Sequence, residues 1–336
     1  MTAPHPETWL RVLPGGLYCE PGGFFIDPVR PADKAVISHA HSDHARPGNR
    51  AVLATAATLA LMRARGIGAE TERAVVWGER VQTGDVTVWL QPAGHVLGSA
   101  QVVLEYNGSR AVVSGDYKRA PDPTCAPFEP VPCDVFITEA TFALPVFRHP
   151  PAHAEIRRLL ESVALFPERT HVVGCYSLGK CQRLIALLRQ SGWDFPIFLH
   201  GALVSMCQVY EQQGVSLGDL RSATIANKAE MVGKIVLAPP SEIAERWARR
   251  FTDPVACNAS GWMRVRQRAK QGGIELPLVI SDHADWDELN ATINEVAAPE
   301  VWVTHGNEEA LVYCVSKRGI RGRALRLVGY GEEADA

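Results

Sequence analysis

Apolar residues in the first part of the chain fall into short runs closed by glycine, proline or a polar residue, the pattern of buried β-strands rather than of long helices. Such runs cover Gly16–Cys19, Gly23–Pro28, Lys34–Ser38, Val75–Trp77, Val86–Leu90, Gln101–Glu105, Arg110–Ser114 and Asp134–Phe142, with a helix predicted over Ala54–Arg65. The period then changes. Ile156, Leu159, Leu160 and Val163 recur at helical spacing within His153–Leu165, and Cys181, Leu184, Leu187 and Leu188 do so farther on. Strands at His171–Val173, Pro196–Leu199 and Lys234–Leu237 alternate with helices at Ala202–Gln213 and Ser241–Phe251. Strands at Leu276–Ser281 and Glu300–Thr304, each followed by a helix, close the pattern. The reading is an α/β protein in three stretches: a strand-rich part over 1–147, an α/β layer with its own core over 148–275, and a return to the first grammar over 276–336.

Several of these strands run straight into residues that can hold a metal. Ala35-Val36-Ile37 leads into Ser38-His39-Ala40-His41-Ser42-Asp43-His44-Ala45, three histidines and a carboxylate on a short loop. Nitrogen and oxygen donors at this spacing suit zinc-class metals, with His39 and His41 able to face one ion and Asp43 and His44 a second. His95, between Gly94 and Gly98, becomes a candidate third nitrogen ligand beside that cluster. Asp116 follows Gly115 at a strand end, where its oxygens could bridge two ions. Glu139 repeats the strand-then-carboxylate pattern, and His283 and His305 each follow a later strand. Asp27 is open between a turn former before Pro28 and a carboxylate that orients a metal-bound histidine.

Composition adds limits. With 46 % hydrophobic and 21 % charged residues over 336 positions, a sizeable core is affordable, and no apolar run is long enough to span a membrane. The start lacks a secretory pattern, so a cytoplasmic protein is expected. Eight cysteines without a CxxC pair read as small buried hydrophobes. A net charge of −3 excludes a global bias toward nucleic acid, so such binding must rest on a local surface.

Two stretches could provide one. Gly174-Cys175-Tyr176-Ser177-Leu178-Gly179-Lys180-Cys181 nearly satisfies the phosphate-binding pattern GxxxxGK[ST], failing where Cys181 replaces the hydroxyl that holds magnesium. Ser177, Gly179 and Lys180 remain candidates for holding a phosphate at a helix start. Ala259–Lys270 concentrates positive charge around Trp262, with Arg264 and Arg266 as candidate backbone contacts and Arg246, Arg249 and Arg250 preceding them.

Taken together, these residues resemble the metallo-β-lactamase superfamily, and within it the β-CASP nucleases. Asp27, the His39/His41/Asp43/His44 loop, His95 and Asp116 fall in order on the superfamily's first four motifs, and Glu139, His283 and His305 on the three that mark the β-CASP branch. The resemblance implies a four-layer αβ/βα sandwich from 1–147 and 276–336, with a β-CASP cap over 148–275. It implies one zinc on His39, His41 and His95, a second on Asp43, His44 and His305, Asp116 bridging, and Asp27 behind the ligands. It also implies that His283, steered by Glu139, gives a proton to the leaving oxygen. Catalysis would be two-metal phosphodiester hydrolysis, with zinc fitting the donors and manganese the alternative.

The substrate divides the motifs. Tyr176–Lys180 and Ser114–Arg119 are similar to segments of the DNA crosslink-repair nucleases and Artemis, whereas histidine at 305 is usual in the RNA-processing branch. Leu13–Cys19, Asp122–Pro130 and Thr138–Phe142 closely resemble bacterial ligase-associated DNA exonucleases. The leading expectation is therefore a DNA exonuclease, 5′ to 3′ favoured, acting in repair beside an ATP-dependent DNA ligase and a helicase. The alternatives are a β-CASP ribonuclease, a small-molecule hydrolase such as a thioesterase, and an inactive nucleic-acid-binding subunit.

Overall fold

A computed structural model of the chain describes residues 3–244 and 247–327, and these form two compact units. The first comprises the described residues of Met1–Pro121, Cys125–Val146 and His283–Glu332; the second, those of Asp122–Thr124 and Phe147–Asp282. The last part of the expected 276–336 stretch, 328–336, lies outside the described residues.

The first unit holds two mixed sheets. One has six strands in the order Leu10–Leu13, Gly16–Cys19, Phe24–Ile26, Lys34–Val36, Ala51–Thr55 and Thr71–Val75. The other has seven, in the order Arg321–Ala324, Glu300–Gly306, Val135–Ala140, Ser109–Val113, Ala100–Tyr106, Val86–Pro92 and Val81–Thr83. The period-2 alternation of the seven-stranded sheet serves two cores. Val88, Val102, Val113, Ile137 and Trp302 share a core with Leu17, Phe24 and Ile26 of the other sheet. Their neighbours Trp89, Val103, Val112, Phe136, Val301 and Val303 pack with Leu289, Ile293, Leu311 and Val315 of the helices Trp286–Val296 and Glu308–Lys317. Asp285 starts the first of these helices, accepting from the Asp287 and Glu288 amides at 2.9 Å.

In the second unit six strands pair wholly in parallel, in the order Leu220–Ser222, Ile197–Leu199, Ile235–Ala238, His171–Gly174, Val255–Ala259 and Leu276–Leu278. Cys257 pairs with Leu276, and this compact unit takes in residues up to Asp282.

Several local expectations shift. The strand expected at Val75–Trp77 lies earlier, over Thr71–Val75, and Val76 and Trp77 are exposed once the chain leaves the sheet. Ala51–Thr55 is a strand whose last residue caps the helix Ala56–Ala64, the Thr55 hydroxyl accepting from the Thr58 amide. The single helix expected over Ser241–Phe251 is a short helix Pro240–Ala244 and a 3₁₀ turn Ala248–Arg250; Arg246 lies outside the described residues. Five cysteines are buried and the other three half-buried, all as free thiols. Among the described residues no helix is long and apolar enough to cross a membrane.

Candidate metal centre

Parallel strands end at one edge of a sheet, and the first unit puts its polar residues there. Val86–Pro92 runs in the same direction as Ser109–Val113, Val135–Ala140 and Glu300–Gly306, so the segments carrying His95, Asp116, Glu139 and His305 emerge at the same edge. The six-stranded sheet joins them where the Ala100 amide donates to the Ser38 carbonyl at 2.8 Å. This brings the Ser38–Ala45 loop to the edge. A single helical turn shapes that loop, the Ala45 amide donating to the His41 carbonyl at 2.8 Å.

His39 Nε2 and His95 Nε2 each lie 3.1 Å from His41 Nδ1, and Asp116 Oδ2 lies 3.5 Å and 3.8 Å from the first two. Four tetrahedral ligands at zinc's usual bond lengths would stand roughly 3.3 Å apart, so this set fits a zinc-class ion. Asp116 Oδ2 is also 3.4 Å from His44 Nε2, which is 3.6 Å from Asp43 Oδ2. The His305 ring stacks on that of His44 with centroids 5.2 Å apart. Asp116 thus stands between the His39/His41/His95 group and the Asp43/His44/His305 group.

Asp27, in the left-handed region at φ 44°, aims its carboxylate at the loop. It accepts from the Ser38 amide at 2.7 Å and the Ser38 hydroxyl at 2.5 Å, and lies 2.8 Å from His44 Nδ1. This leaves His44 Nε2 turned toward Asp116 and Asp43. Glu139 holds the second dyad: its carboxylate is 2.9 Å from His283 Nδ1 and accepts from the Thr141 hydroxyl at 2.6 Å and the Tyr117 amide at 2.7 Å. The His283 ring lies against that of His95, centroids 4.6 Å apart.

Burial and charged neighbours set the electrostatics. Burial holds the His39 imidazole well below its ordinary value, His44 adding to the effect. Burial likewise lowers His305 to about 4, again with His44. Both are therefore neutral near pH 7, the form that ligates. Burial would lower His44 too, but the Asp116 and Asp43 charges raise it well above the usual range. Burial would raise Asp116, and the charge of His44, with the hydrogen bond to it, holds it well below.

The remaining candidates lie in the second unit. Gly179, at φ 93°, turns His171–Gly174 into the helix Lys180–Gln190. Its amide donates to Gln182 Oε1 at 2.8 Å, and Gln182 Nε2 donates to the carbonyl of half-buried Ser177 at 2.9 Å. Lys180 is buried, its ammonium donating to the Ile280 carbonyl at 2.9 Å and ion-paired with Asp282 at 3.0 Å. Arg183 joins the same cluster, 3.0 Å from Asp282 and 3.4 Å from Asp122. Arg264 and Arg266 are exposed.

Sequence reasoning gave no role to Arg65, whose guanidinium donates to the Ala40 carbonyl inside the histidine loop, or to Thr141 and Lys118. Thr141 stands two residues after Glu139 and could have been suspected; Arg65 carried no local signal.

Comparison with known proteins finds relatives that match most of this chain. The chain is 30 % identical over 322 residues to a protein named "Probable DNA ligase" from Opitutus terrae, covering 92 % of this chain and 30 % of that one. It is 22 % identical over 287 residues to "Cleavage and polyadenylation specificity factor subunit 3-I" of Arabidopsis thaliana, covering 70 % and 41 %. To "Endoribonuclease ysh1" of Emericella nidulans it is 31 % identical over 314 residues, covering 67 % and 35 %. The chain thus spans only about a third of the length of these curated relatives. No family model matches it. Among solved structures, a protein of unknown function from Enterococcus faecalis shares the fold, with a TM-score of 0.58 at 12 % identity over 88 % of this chain and 80 % of that one.

Proposed function

We propose that the chain is a metal-dependent phosphodiesterase of the β-CASP branch of the metallo-β-lactamase superfamily, acting on nucleic acid and most naturally on DNA. The observation that carries this reading is Asp116 Oδ2 standing within 3.8 Å of His39, His44 and His95, with the Glu139–His283 dyad beside them. Two sheets sharing one core, with helices on the outer face of the seven-stranded sheet, support the αβ/βα sandwich. The compact unit around Phe147–Asp282, with its own parallel sheet, supports reading 148–275 as the cap.

His39, His41 and His95 would hold one ion, Asp43, His44 and His305 the other, and Asp116 both. Zinc suits these donors and manganese is the competitor. When bound, the ions supply Lewis acidity toward a phosphoryl oxygen and make water a nucleophile near neutral pH. The protein's own groups do the rest. Asp27 fixes the tautomer and orientation of His44. Glu139 takes Nδ1 of His283, so Nε2 is the nitrogen that delivers a proton to the leaving oxygen. Thr141 and Tyr117 keep the Glu139 carboxylate in place. Exposed Arg264 and Arg266, with the Ser177–Lys180 turn, are the proposed contacts for the nucleic-acid backbone.

DNA is favoured by the relative named as a DNA ligase. This chain matches 30 % of that protein, leaving most of its length for another activity, and a nuclease and a ligase on one polypeptide point to joint work in repair. Association with an ATP-dependent ligase and a helicase in the cytoplasm is proposed on that footing. RNA is the second reading, favoured by the relatives named endoribonuclease and by His305. The deciding experiment offers end-labelled single-stranded DNA and RNA of one sequence, each with a 5′-phosphate or a 5′-hydroxyl, with zinc or manganese. Stepwise shortening of DNA supports the repair exonuclease; preferential cutting of RNA moves the protein to RNA processing; no cleavage of either overturns the proposal.

A further inference from the structure

Lys118 is an ammonium buried to 1 % exposure, two residues after Asp116, and the chemistry above gives it no task. Burying a lysine is costly unless its charge and hydrogen bonds are met, and an apolar side chain would fill the same space without that cost. Its contacts show what it holds. The ammonium donates to the His95 carbonyl at 3.2 Å, and the Lys118 amide donates to the Ala93 carbonyl at 3.2 Å. Between these, Gly94 sits at φ 74° with its backbone so close that a Cβ there would lie 2.5 Å from the Lys118 carbonyl oxygen. The adjoining Tyr117 donates its amide to Glu139 at 2.7 Å and accepts from the Ala284 amide at 2.6 Å. The Asp116–Lys118 segment therefore touches the segments that carry His95, Glu139 and His283.

We infer that Lys118 is a positioning residue of the metal centre, clamping the His95 turn onto the Asp116 turn so that the third imidazole reaches the first ion. His95 is the one nitrogen of the His39/His41/His95 group that comes from outside the Ser38–Ala45 loop, so its placement depends on such a brace. The inference rests on the metal-centre reading.

The test uses the full chain and measures zinc and cobalt(II) binding by competition with a chromophoric chelator. It adds the visible spectrum of the cobalt form and the melting temperature of the metal-free protein. Lys118→Met should weaken one of the two ions by about ten- to hundredfold and change the cobalt spectrum, leaving the other ion and the metal-free melting temperature near wild type. Lys118→Gln, which keeps a shorter donor, should fall between the two and decides the matter if the Met variant does not fold. Unchanged affinity for both ions overturns the inference, as does a parallel loss of both ions and of metal-free stability. A wild-type chain that takes up no divalent ion instead overturns the metal-centre reading on which the inference stands.

Discussion

Two clusters of polar side chains in this molecule are largely buried and built to opposite rules. At the edge of the first unit, like meets like: imidazole nitrogens of His39, His41 and His95 point at one another across 3.1 Å. Behind the Gly179 turn of the second unit, opposite meets opposite: the cations of Lys180 and Arg183 lie 3.0 Å from the Asp282 carboxylate, with Arg183 also 3.4 Å from Asp122. The second cluster completes itself with its own charges. The first makes physical sense when something positive stands in its middle. Histidine and lysine content alone would not have told these clusters apart; the sign of what each group faces does.

The sharpest way to break this contrast is to remove one imidazole. His41→Ala or Asp116→Ala should reduce nucleic-acid cleavage to background and cut bound metal measured by elemental analysis, with substrate binding still measurable; full activity in either variant would sink the two-ion centre. His283→Ala should slow DNA or RNA cleavage by about 10²–10⁴-fold with metal content intact, while a p-nitrophenyl phosphodiester, whose leaving group needs no proton, is cut nearly as before. Equal losses on both substrates would remove His283 from proton donation.

The second cluster should answer in stability. Asp282→Asn removes the carboxylate that two buried cations share and is expected to cost about 3–5 kcal/mol in urea unfolding, and Lys180→Met less, since Arg183 still meets Asp282. Neither should lower metal content, and a drop like that of His41→Ala would erase the distinction between the clusters. The smallest effect expected is at the surface. Arg264→Gln or Arg266→Gln should each lower the salt dependence of nucleic-acid binding by about one unit of log–log slope, measured by fluorescence anisotropy.

Much of the first cluster was legible because its signal is local. A short apolar run ending in histidine or carboxylate announces both the strand and the residue at its end, and this held from Lys34–Val36 to Glu300–Gly306. What stayed hidden depends on chain distance. Asp122 and Asp282 come to Lys180 and Arg183 from far along the sequence, so the ion pairs around this turn left no mark in its near-perfect phosphate-binding pattern. Lys118 was equally silent, because its partners at 93–95 come near only through strand pairing. Val75–Trp77 failed for another reason: three apolar residues in a row suggest a strand, yet the chain turns at Val75 and leaves the other two in water.

The strand Glu300–Gly306 lies directly beside Val135–Ala140, so the residue that finishes the centre is made long after those that begin it. On a ribosome adding about 5–20 residues per second, His305 follows His44 by roughly 13 to 50 s. The proposed first ion site can assemble once residue 116 has emerged, but the second waits for His305. On the proposed reading, order of synthesis would act as a safety catch: the emerging polypeptide would carry most of a cutting centre past the nucleic acids of the translating cell, and that centre would close only when the last histidine arrives.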